Sequence, residues 1–279
     1  MIIIYKITMI KQVYHFADLH IRTFRMHDEY KEVFNTLLIQ IKESTIGFNR
    51  DEIRIVIAGD VVHNKTTISN EQLILVAWFF KELEKIAPLV VIAGNHDTIL
   101  NNADRLDSIS PIVQLLGDLN INYFKESKCY VDDNIVWCVY SVFEDNKRPD
   151  IESAREEFGN DKKYIGLFHA PVLNAKTDLG YSIDHGAGLD IFENLDAVFL
   201  GDIHMYQVFI HKNTPIIYPG STIQQGFGES VNGHGFVLWN IEDLTYEFHE
   251  VDNNYPFYQF KIKSLEDLDN GTEILSNLK

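Results

Sequence analysis

The chain has 279 residues, of which 46% are hydrophobic, and this is enough apolar material for one large domain with a buried core. Its 41 acidic residues outnumber its 24 basic residues and give a formal net charge of −17, which excludes a strong general attraction to nucleic acid. Only two cysteines, Cys129 and Cys138, are present, so a disulfide framework is excluded and reduced thiols in the cytoplasm are expected.

The N-terminal segment begins with an apolar run that Lys6 and Lys11 interrupt. It is too short for a transmembrane helix and lacks the small-residue cleavage site of a signal peptide, so we expect no membrane association. Three interpretations of residues 1–8 stay open: an extra strand, an edge appendage, or an upstream start.

The first half of the chain alternates predicted strands and helices. Apolar runs predict strands at residues 12–17, 53–58 and 89–93. Helical spacing of apolar residues predicts a helix from Asp28, as its N-cap, to about Glu43. Ser69, followed three residues later by Gln72, is a capping-box signal that opens a second helix. This βαβαβ order predicts a parallel sheet that is covered by helices.

The second half is less regular. Short helices are predicted at residues 109–116 and 151–158. Strands are predicted at residues 128–131, 135–142, 164–168, 197–200, 206–211 and 216–218. Alternating apolar positions predict a hairpin over residues 235–251, and a second, largely antiparallel sheet is expected to pack against the first.

The C-terminal segment opens with an apolar, strand-like piece at residues 257–262 and then becomes acidic and polar. We therefore expect a domain over residues 1–251. Residues 252–279 would be the start of a C-terminal capping or partner-docking segment, which is compatible with a longer protein.

Polar side chains follow five of the apolar runs, at the point where each strand is predicted to end. The motifs are HFADLH (15–20), IAGDVVH (57–63), IAGNHD (92–97), LFHA (167–170) and FLGDIH (199–204). Because parallel strands bring their carboxyl ends to one edge of a sheet, these Asp, Asn and His side chains are expected to converge. Mixed carboxylate and imidazole ligands suit Mn, Fe or Zn better than Ca or Mg.

Asp18 and His20 are two residues apart, so an extended backbone directs both side chains to one side and lets them bind one ion. Asp60 supplies a carboxylate that can bridge two ions, and Asn95 supplies a neutral oxygen. An isolated Asp-x-His triplet is weak evidence. Five motifs in a compatible order, however, predict a metal site.

The ordered set DLH, GDVVH, GNHD, FHA and GDIH resembles the calcineurin-like metallophosphoesterase superfamily over about residues 12–251. Within it, the sequence is similar to the SbcD-type nucleases of DNA double-strand-break repair, such as those of phages and bacteria. His63 follows Asp60 by three residues, where protein phosphatases carry an Asp-Arg-Gly continuation. The stretches NADRLDSISPIVQLL and YPGSTIQQGFGE also resemble segments of the nuclease branch.

This resemblance implies an α/β fold, a four-layer α-β-β-α sandwich of two mixed sheets flanked by helices. It also implies two divalent metal ions, with Mn²⁺ as the first choice and Mg²⁺ as the alternative. One ion would be held by Asp18, His20, Asp60 and His204, and the other by Asp60, Asn95, His169 and Asp202. The family usually has His in place of Asp202, and since aspartate binds through oxygen, we expect a chemically harder second site.

The resemblance places His96 beside the scissile phosphate, where an imidazole can stabilise the transition state or protonate the leaving oxygen. The alternative is that His96 only orients Asn95 or Asp18. His63 would steer the substrate strand or the leaving nucleotide, and a structural role is an equal alternative. Further candidate substrate contacts are Arg22, Arg25, Lys65 and His185. For these loop residues a solvated surface role is the alternative.

The function implied is a two-metal-dependent DNA nuclease, a 3′-to-5′ exonuclease with single-strand endonuclease activity that processes DNA ends in recombination and repair. The implied partners are DNA, an SMC-like ATPase of the SbcC type, and a second copy of this chain. Two alternatives stay open: a small-molecule or cyclic-nucleotide phosphodiesterase, and a non-catalytic scaffold of the same fold.

Overall fold

The structure is a computed structural model, and it describes residues 9–65, 67–100, 102, 105–144, 147–259 and 263–265. The three interpretations of residues 1–8 lie outside this range, as do residues 260–262 of the predicted strand-like piece. Its described part, 257–259, is not a strand. No helix in the described ranges is long and apolar enough to cross a membrane.

The predicted alternation of strands and helices in the first half is confirmed. The elements are β1 (Gln12–Phe16), α1 (His27–Ser44), β2 (Ile53–Ala58), α2 (Asn70–Glu84), β3 (Leu89–Ile92), α3 (Ser110–Leu116) and β4 (Ile121–Phe124). The sequence pattern did not predict β4, a four-residue strand whose side chains are all half-buried.

Two strands form a hairpin and six more follow it. The elements are β5 (Cys129–Asp132), β6 (Ile135–Tyr140), α4 (Ile151–Phe158), β7 (Lys163–His169), β8 (Ala197–Gly201), β9 (Gln207–His211), β10 (Thr214–Tyr218), β11 (Gly235–Asn240) and β12 (Tyr246–Glu250). Cys129 and Cys138 lie opposite each other on β5 and β6 as free thiols.

The strands form two six-stranded mixed sheets, in the orders β12-β11-β1-β2-β3-β4 and β5-β6-β7-β8-β10-β9. The expectation of a largely antiparallel second sheet is wrong, because β6, β7, β8 and β10 pair in parallel. Long connections join β6 to β7 and β7 to β8, and such crossovers favour parallel pairing over hairpins. The predicted C-terminal hairpin, β11–β12, extends the first sheet along the edge of β1.

Three apolar cores separate four layers, which confirms the predicted α-β-β-α sandwich. Helices α1 and α2 cover the first sheet, where the rings of Phe34 and Phe79 stack with centroids 4.0 Å apart. Between the sheets, Phe199 stacks on Trp239 at 4.7 Å. Helix α4 and the short turn Leu189–Phe192 cover the second sheet. The carboxyl ends of strands from both sheets therefore face one common edge.

The N-terminal ends of the helices use their polar residues in two ways. Ser69 accepts a hydrogen bond from the Gln72 N–H at 3.1 Å, which is one half of the predicted capping box, and the Gln72 side chain does not complete the other half. The Gln72 side chain donates to the Ile21 carbonyl at 2.6 Å, which ties α2 to the loop after β1. Asp28 is not the cap of α1: Met26 holds that position with φ 62°, and Asp28 lies in the first turn, where a carboxylate favours the helix dipole.

A buried ion pair joins the two sheets. Arg54 on β2 donates to both carboxylate oxygens of Asp132 on β5, at 2.6 and 2.8 Å, and only 6% of Arg54 is exposed. Trp137 donates its indole N–H to the same carboxylate at 3.0 Å. This contact fixes how the first sheet lies on the second.

Replacing Asp132 with Ala should lower the free energy of unfolding by about 3 kcal/mol, because it leaves a buried guanidinium without its main partner. The double change Arg54→Met with Asp132→Ala should cost less than Asp132→Ala alone. Urea denaturation measures both. As a control, Glu82→Ala removes an exposed pair with Lys85 and should change stability by less than about 0.5 kcal/mol. Equal losses in the single and double variants would contradict this account.

Candidate metal centre

Four candidate ligands follow strands of the first sheet. Asp18 and His20 lie just after β1, Asp60 lies just after β2, and Asn95 follows β3. Asp18, His20 and Asp60 are almost wholly buried. The backbone N–H groups of Asp18 and His20 donate to the carbonyls of Gly59 and Asp60, so the two loops after β1 and β2 are held together.

Three candidate ligands come from the second sheet. His169 ends β7 and is 1% exposed, and Asp202 and His204 follow β8. The structure brings both sets together: His169 Nε2 lies 3.3 Å from Asp60 Oδ1 and 3.9 Å from Asp202 Oδ1. The Nε2 atoms of His20 and His204 are 2.9 Å apart, although these residues are 184 positions apart in the sequence. The expected convergence of distant motifs is thus observed.

Within the described residues, three groups of side chains place their ligand atoms within 4.8 Å of one another, close enough to hold a metal ion. The groups are Asp18, His20 and His204; Asp18, Asp60 and His169; and His20, His63 and His96. The first two groups share Asp18, whereas the family resemblance implies that Asp60 is the shared ligand, so the assignment of ligands to two ions stays a prediction.

Four buried atoms of these side chains lack a hydrogen-bond partner among the described residues: Asn95 Oδ1, His169 Nε2, His20 Nδ1 and His63 Nδ1. His169 Nδ1 donates to the Ala58 carbonyl at 2.6 Å, which leaves the lone pair on Nε2 directed into the cluster. Because buried polar atoms are normally paired, the residues present fit a divalent cation.

The pKa values of the cluster also fit a cation-binding site. Burial raises the pKa of the Asp18 carboxyl to about 7, although His169 opposes this shift. Burial also acts to raise the pKa of Asp60, but His169, His20 and the backbone N–H of His96 together hold that pKa below its usual range. Burial disfavours the charged His204 ring, yet its hydrogen bond to Glu229 raises the pKa to about 9. Protons or cations are therefore favoured beside these buried carboxylates.

Four of these residues, Asp18, His20, Asp60 and Asp202, have φ between 44° and 97°. This left-handed region is uncommon for residues other than glycine, and it costs about 1–3 kcal/mol per residue. Such conformations cluster at functional sites, where the surrounding structure holds them. Here they turn the chain sharply after each strand, so that the side chains face the cluster.

His96 borders the cluster, as predicted. Its backbone N–H donates to Asp60 Oδ1 at 2.7 Å, and its Nδ1 donates to the His63 carbonyl at 2.7 Å. These bonds fix the ring and leave Nε2 available. The His96 ring meets the His20 ring edge-on at 4.7 Å, and the His63 ring lies 5.6 Å from that of His96.

The four candidate substrate contacts differ in their placement. Arg22 donates to the Gln225 carbonyl at 2.7 Å and its charge lowers the pKa of His63, so it lies beside the cluster. Arg25 and Lys65 are exposed on the adjoining loops. The His185 side chain is 83% exposed and lies 3.1 Å from Asp184, which matches the alternative of a surface loop residue.

Sequence reasoning missed two carboxylates that support the centre. Asp97 is fully buried and accepts hydrogen bonds from the backbone N–H groups of Gly94 and Val62, which fixes the loop that carries Asn95. Its place at the end of the GNHD motif was a usable signal. Glu229 accepts a hydrogen bond from His204 Nδ1 at 2.6 Å. Nothing in the local sequence links these two residues, which are 25 positions apart.

An α/β sandwich whose two sheets converge on a buried Asp, His and Asn cluster defines a metal-dependent hydrolase. The chain belongs to the calcineurin-like phosphoesterase family, whose model matches residues 11–206. This family uses divalent metal ions, in agreement with the cluster.

A relative in Acanthamoeba polyphaga mimivirus, the uncharacterized protein R555, is 42% identical over 261 residues. The match covers 91% of this chain and 19% of R555, so the chain spans about a fifth of that relative's length.

Among solved structures, TT1561 of Thermus thermophilus has a TM-score of 0.49 at 11% identity, over 88% of this chain and 99% of that one. The phosphopantetheinyl hydrolase PptH of Mycobacterium tuberculosis has a TM-score of 0.44 at 11% identity, over 76% and 89%. The hypothetical protein PH1004 of Pyrococcus horikoshii has a TM-score of 0.41 at 15% identity, over 96% and 94%.

Gly94 should not tolerate a side chain. A Cβ there would lie 2.2 Å from Asp60 Oδ1 and 2.6 Å from His169 Nε2, so Gly94→Ala must displace candidate ligands. We expect it to weaken Mn²⁺ binding by at least about ten-fold, since displaced ligands lose metal affinity. Titration calorimetry measures this. In the control Gly228→Ala, the new Cβ meets no atom within 4 Å, and binding should be unchanged. Unaltered affinity in Gly94→Ala would place the ions elsewhere.

Glu229→Gln should weaken divalent-ion binding by about 10–100-fold, because the carboxylate orients His204 and makes its ring a better ligand. The expected loss affects one of two ions, so calorimetry should show one weakened and one near-normal site. Glu242→Gln, which changes an exposed glutamate, is the matched control. Two unaltered sites in Glu229→Gln would show that His204 is not a ligand.

Proposed function

We propose that this protein is a two-metal-dependent DNA nuclease, a 3′-to-5′ exonuclease with single-strand endonuclease activity. The observation that carries the proposal is the contact between His63 and His96 beside the metal centre. His63 lies where phosphatases of this superfamily carry a different continuation of the motif. It supplies the carbonyl that fixes the His96 ring.

The proposed ions are Mn²⁺ first and Mg²⁺ as the alternative. Their proposed ligands are Asp18, His20, Asp60 and His204 for one ion, and Asp60, Asn95, His169 and Asp202 for the other. The unpartnered atoms of Asn95 and His169 support this assignment. When bound, such ions activate water and neutralise charge on the phosphate oxygens.

His96 is the proposed catalytic residue among the groups that bind no ion. Because Nδ1 donates to the His63 carbonyl, the proton that passes to the leaving oxygen of the substrate is held on Nε2. Burial, and after it the charge of Arg22, lowers the pKa of His63. The backbone carbonyl of His63 positions the His96 ring.

The proposed phosphate contacts are Arg22, Arg25 and Lys65, which lie on the loops after β1 and β2. They form a small basic region in a chain of net charge −17. Since that charge opposes DNA binding, we propose that a second copy of the chain and an SMC-like ATPase partner supply the remaining affinity in DNA-end processing.

A small-molecule phosphodiesterase is the second candidate function. A cavity of about 400 Å³ adjoins the metal centre, and its volume lies within the range of small-molecule sites. An enzyme of this kind would use the same ions and hydrolyse free phosphodiesters without acting on DNA.

His96→Ala should reduce cleavage of end-labelled single- and double-stranded DNA in Mn²⁺ by at least about 100-fold, because it removes the proton donor. Its bound metal should stay at two ions per chain, which separates a catalytic role from a role in orienting ligands. His211→Ala removes a histidine from β9 and should leave cleavage unchanged.

Two results would contradict the proposal. If the natural protein leaves DNA intact but hydrolyses bis(p-nitrophenyl) phosphate, the small-molecule function is correct. If it does neither and binds fewer than two ions, the chain is a scaffold of the same fold.

A further inference from the structure

The cavity of about 400 Å³ adjoins the metal centre on the side of the proposed second ion. Asn95, His169 and Asp202 line it, and these are proposed ligands of the second ion. Neither His20 nor His204, proposed for the first ion, is part of its lining. This cavity can therefore receive one of the two ester groups of a substrate whose scissile phosphate lies at the centre.

Aromatic rings in the cavity can contact the ester group of the substrate. Tyr140 and Phe168 line the cavity, with ring centroids 5.9 Å apart in an edge-to-face arrangement. The Tyr140 hydroxyl already donates to the Ile191 carbonyl at 2.9 Å and the residue is only 6% exposed, so the half-buried Phe168 presents most of the aromatic surface. Flat apolar surfaces of this kind stack on nucleic-acid bases with little preference for sequence.

The cavity also has charged side chains. Two basic residues, Lys147 and Arg148, line it together with two acidic residues, Glu144 and Asp202. Lys147 pairs with Glu144 at 2.6 Å, so its charge is largely compensated. The exposed Arg148 guanidinium has no carboxylate within 4.0 Å among the residues that the structure describes. A guanidinium binds a phosphate through two parallel hydrogen bonds.

We infer that the cavity binds one nucleotide unit of the substrate strand, with its base against Tyr140 and Phe168 and the phosphate next to the scissile one on Arg148. This inference rests on the proposed nuclease function and adds a specificity site to it. Arg148 would distinguish a strand that continues past the scissile bond from a lone diester.

Three dinucleotides that share one scissile bond test this inference: TpT, pTpT and TpTp. With Mn²⁺, one of the two phosphorylated forms should be cleaved with a kcat/KM about ten-fold above that of TpT. Most of this gain should be a lower KM, because the extra phosphate forms a charged hydrogen bond with the enzyme. Which form gains would identify the side of the strand that enters the cavity. In Arg148→Gln the ratio of kcat/KM values should fall to about one.

Because each ratio is taken within a single enzyme, it is independent of any change in folding or metal content. Arg50→Gln is the matched control, since Arg50 precedes β2 at the opposite end of the sheet and should keep the natural ratio.

Equal kcat/KM values for all three dinucleotides, or an unchanged ratio in Arg148→Gln, would overturn the inference while leaving DNA cleavage intact. Hydrolysis of bis(p-nitrophenyl) phosphate without cleavage of DNA or any dinucleotide would overturn the proposed function and this inference together.

Discussion

Burial of like charge is the constraint on which the rest of this structure depends. The carboxylates of Asp18 and Asp60 are 0% and 2% exposed, and Asp202 adjoins both. Anions in such a place are unfavourable unless cations and N–H donors surround them. The protein supplies the ring of His169 at 3.3 Å from Asp60, and backbone N–H groups of His96 and Asp202 that donate to the carboxylates. The arrangement of the two sheets serves to gather these groups at one edge.

The backbone adopts unfavourable local conformations so that these side chains can lie close together. Gly94 lies so close to the cluster that even a methyl group would overlap Asp60 and His169, and Gly201 approaches the Ala58 carbonyl in the same way. Left-handed φ values at successive ligands add strain of about 1–3 kcal/mol each. Large apolar cores on both sides of each sheet offset that strain, which is why a small site needs a sandwich of this size.

Apolar periodicity predicted most helices and strands, and the motif order predicted that Asp, Asn and His side chains from distant motifs converge, while their roles as metal ligands stay predictions. Periodicity does not encode strand partners, so the parallel pairing of the second sheet was missed, and β4 was too short and too exposed to stand out. The sequence pattern also could not predict contacts between residues that lie far apart in the chain. The link from Glu229 to His204 depends on the path of the chain after β10, and the placement of Arg22 depends on the Gln225 carbonyl. The domain limits, the ion identity and the substrate contacts stay predictions.

The division of the centre between two sheets has a mechanical consequence. Asp18, Asp60 and Asn95 belong to one sheet, and His169 and His204 belong to the other. An ion held by members of both sets acts as a cross-link between the layers, and its binding free energy becomes cohesion between them. Ion concentration would then set how readily the two halves of the sandwich separate at that edge. Ions bound for the proposed reaction would thus also hold the two sheets together at that edge.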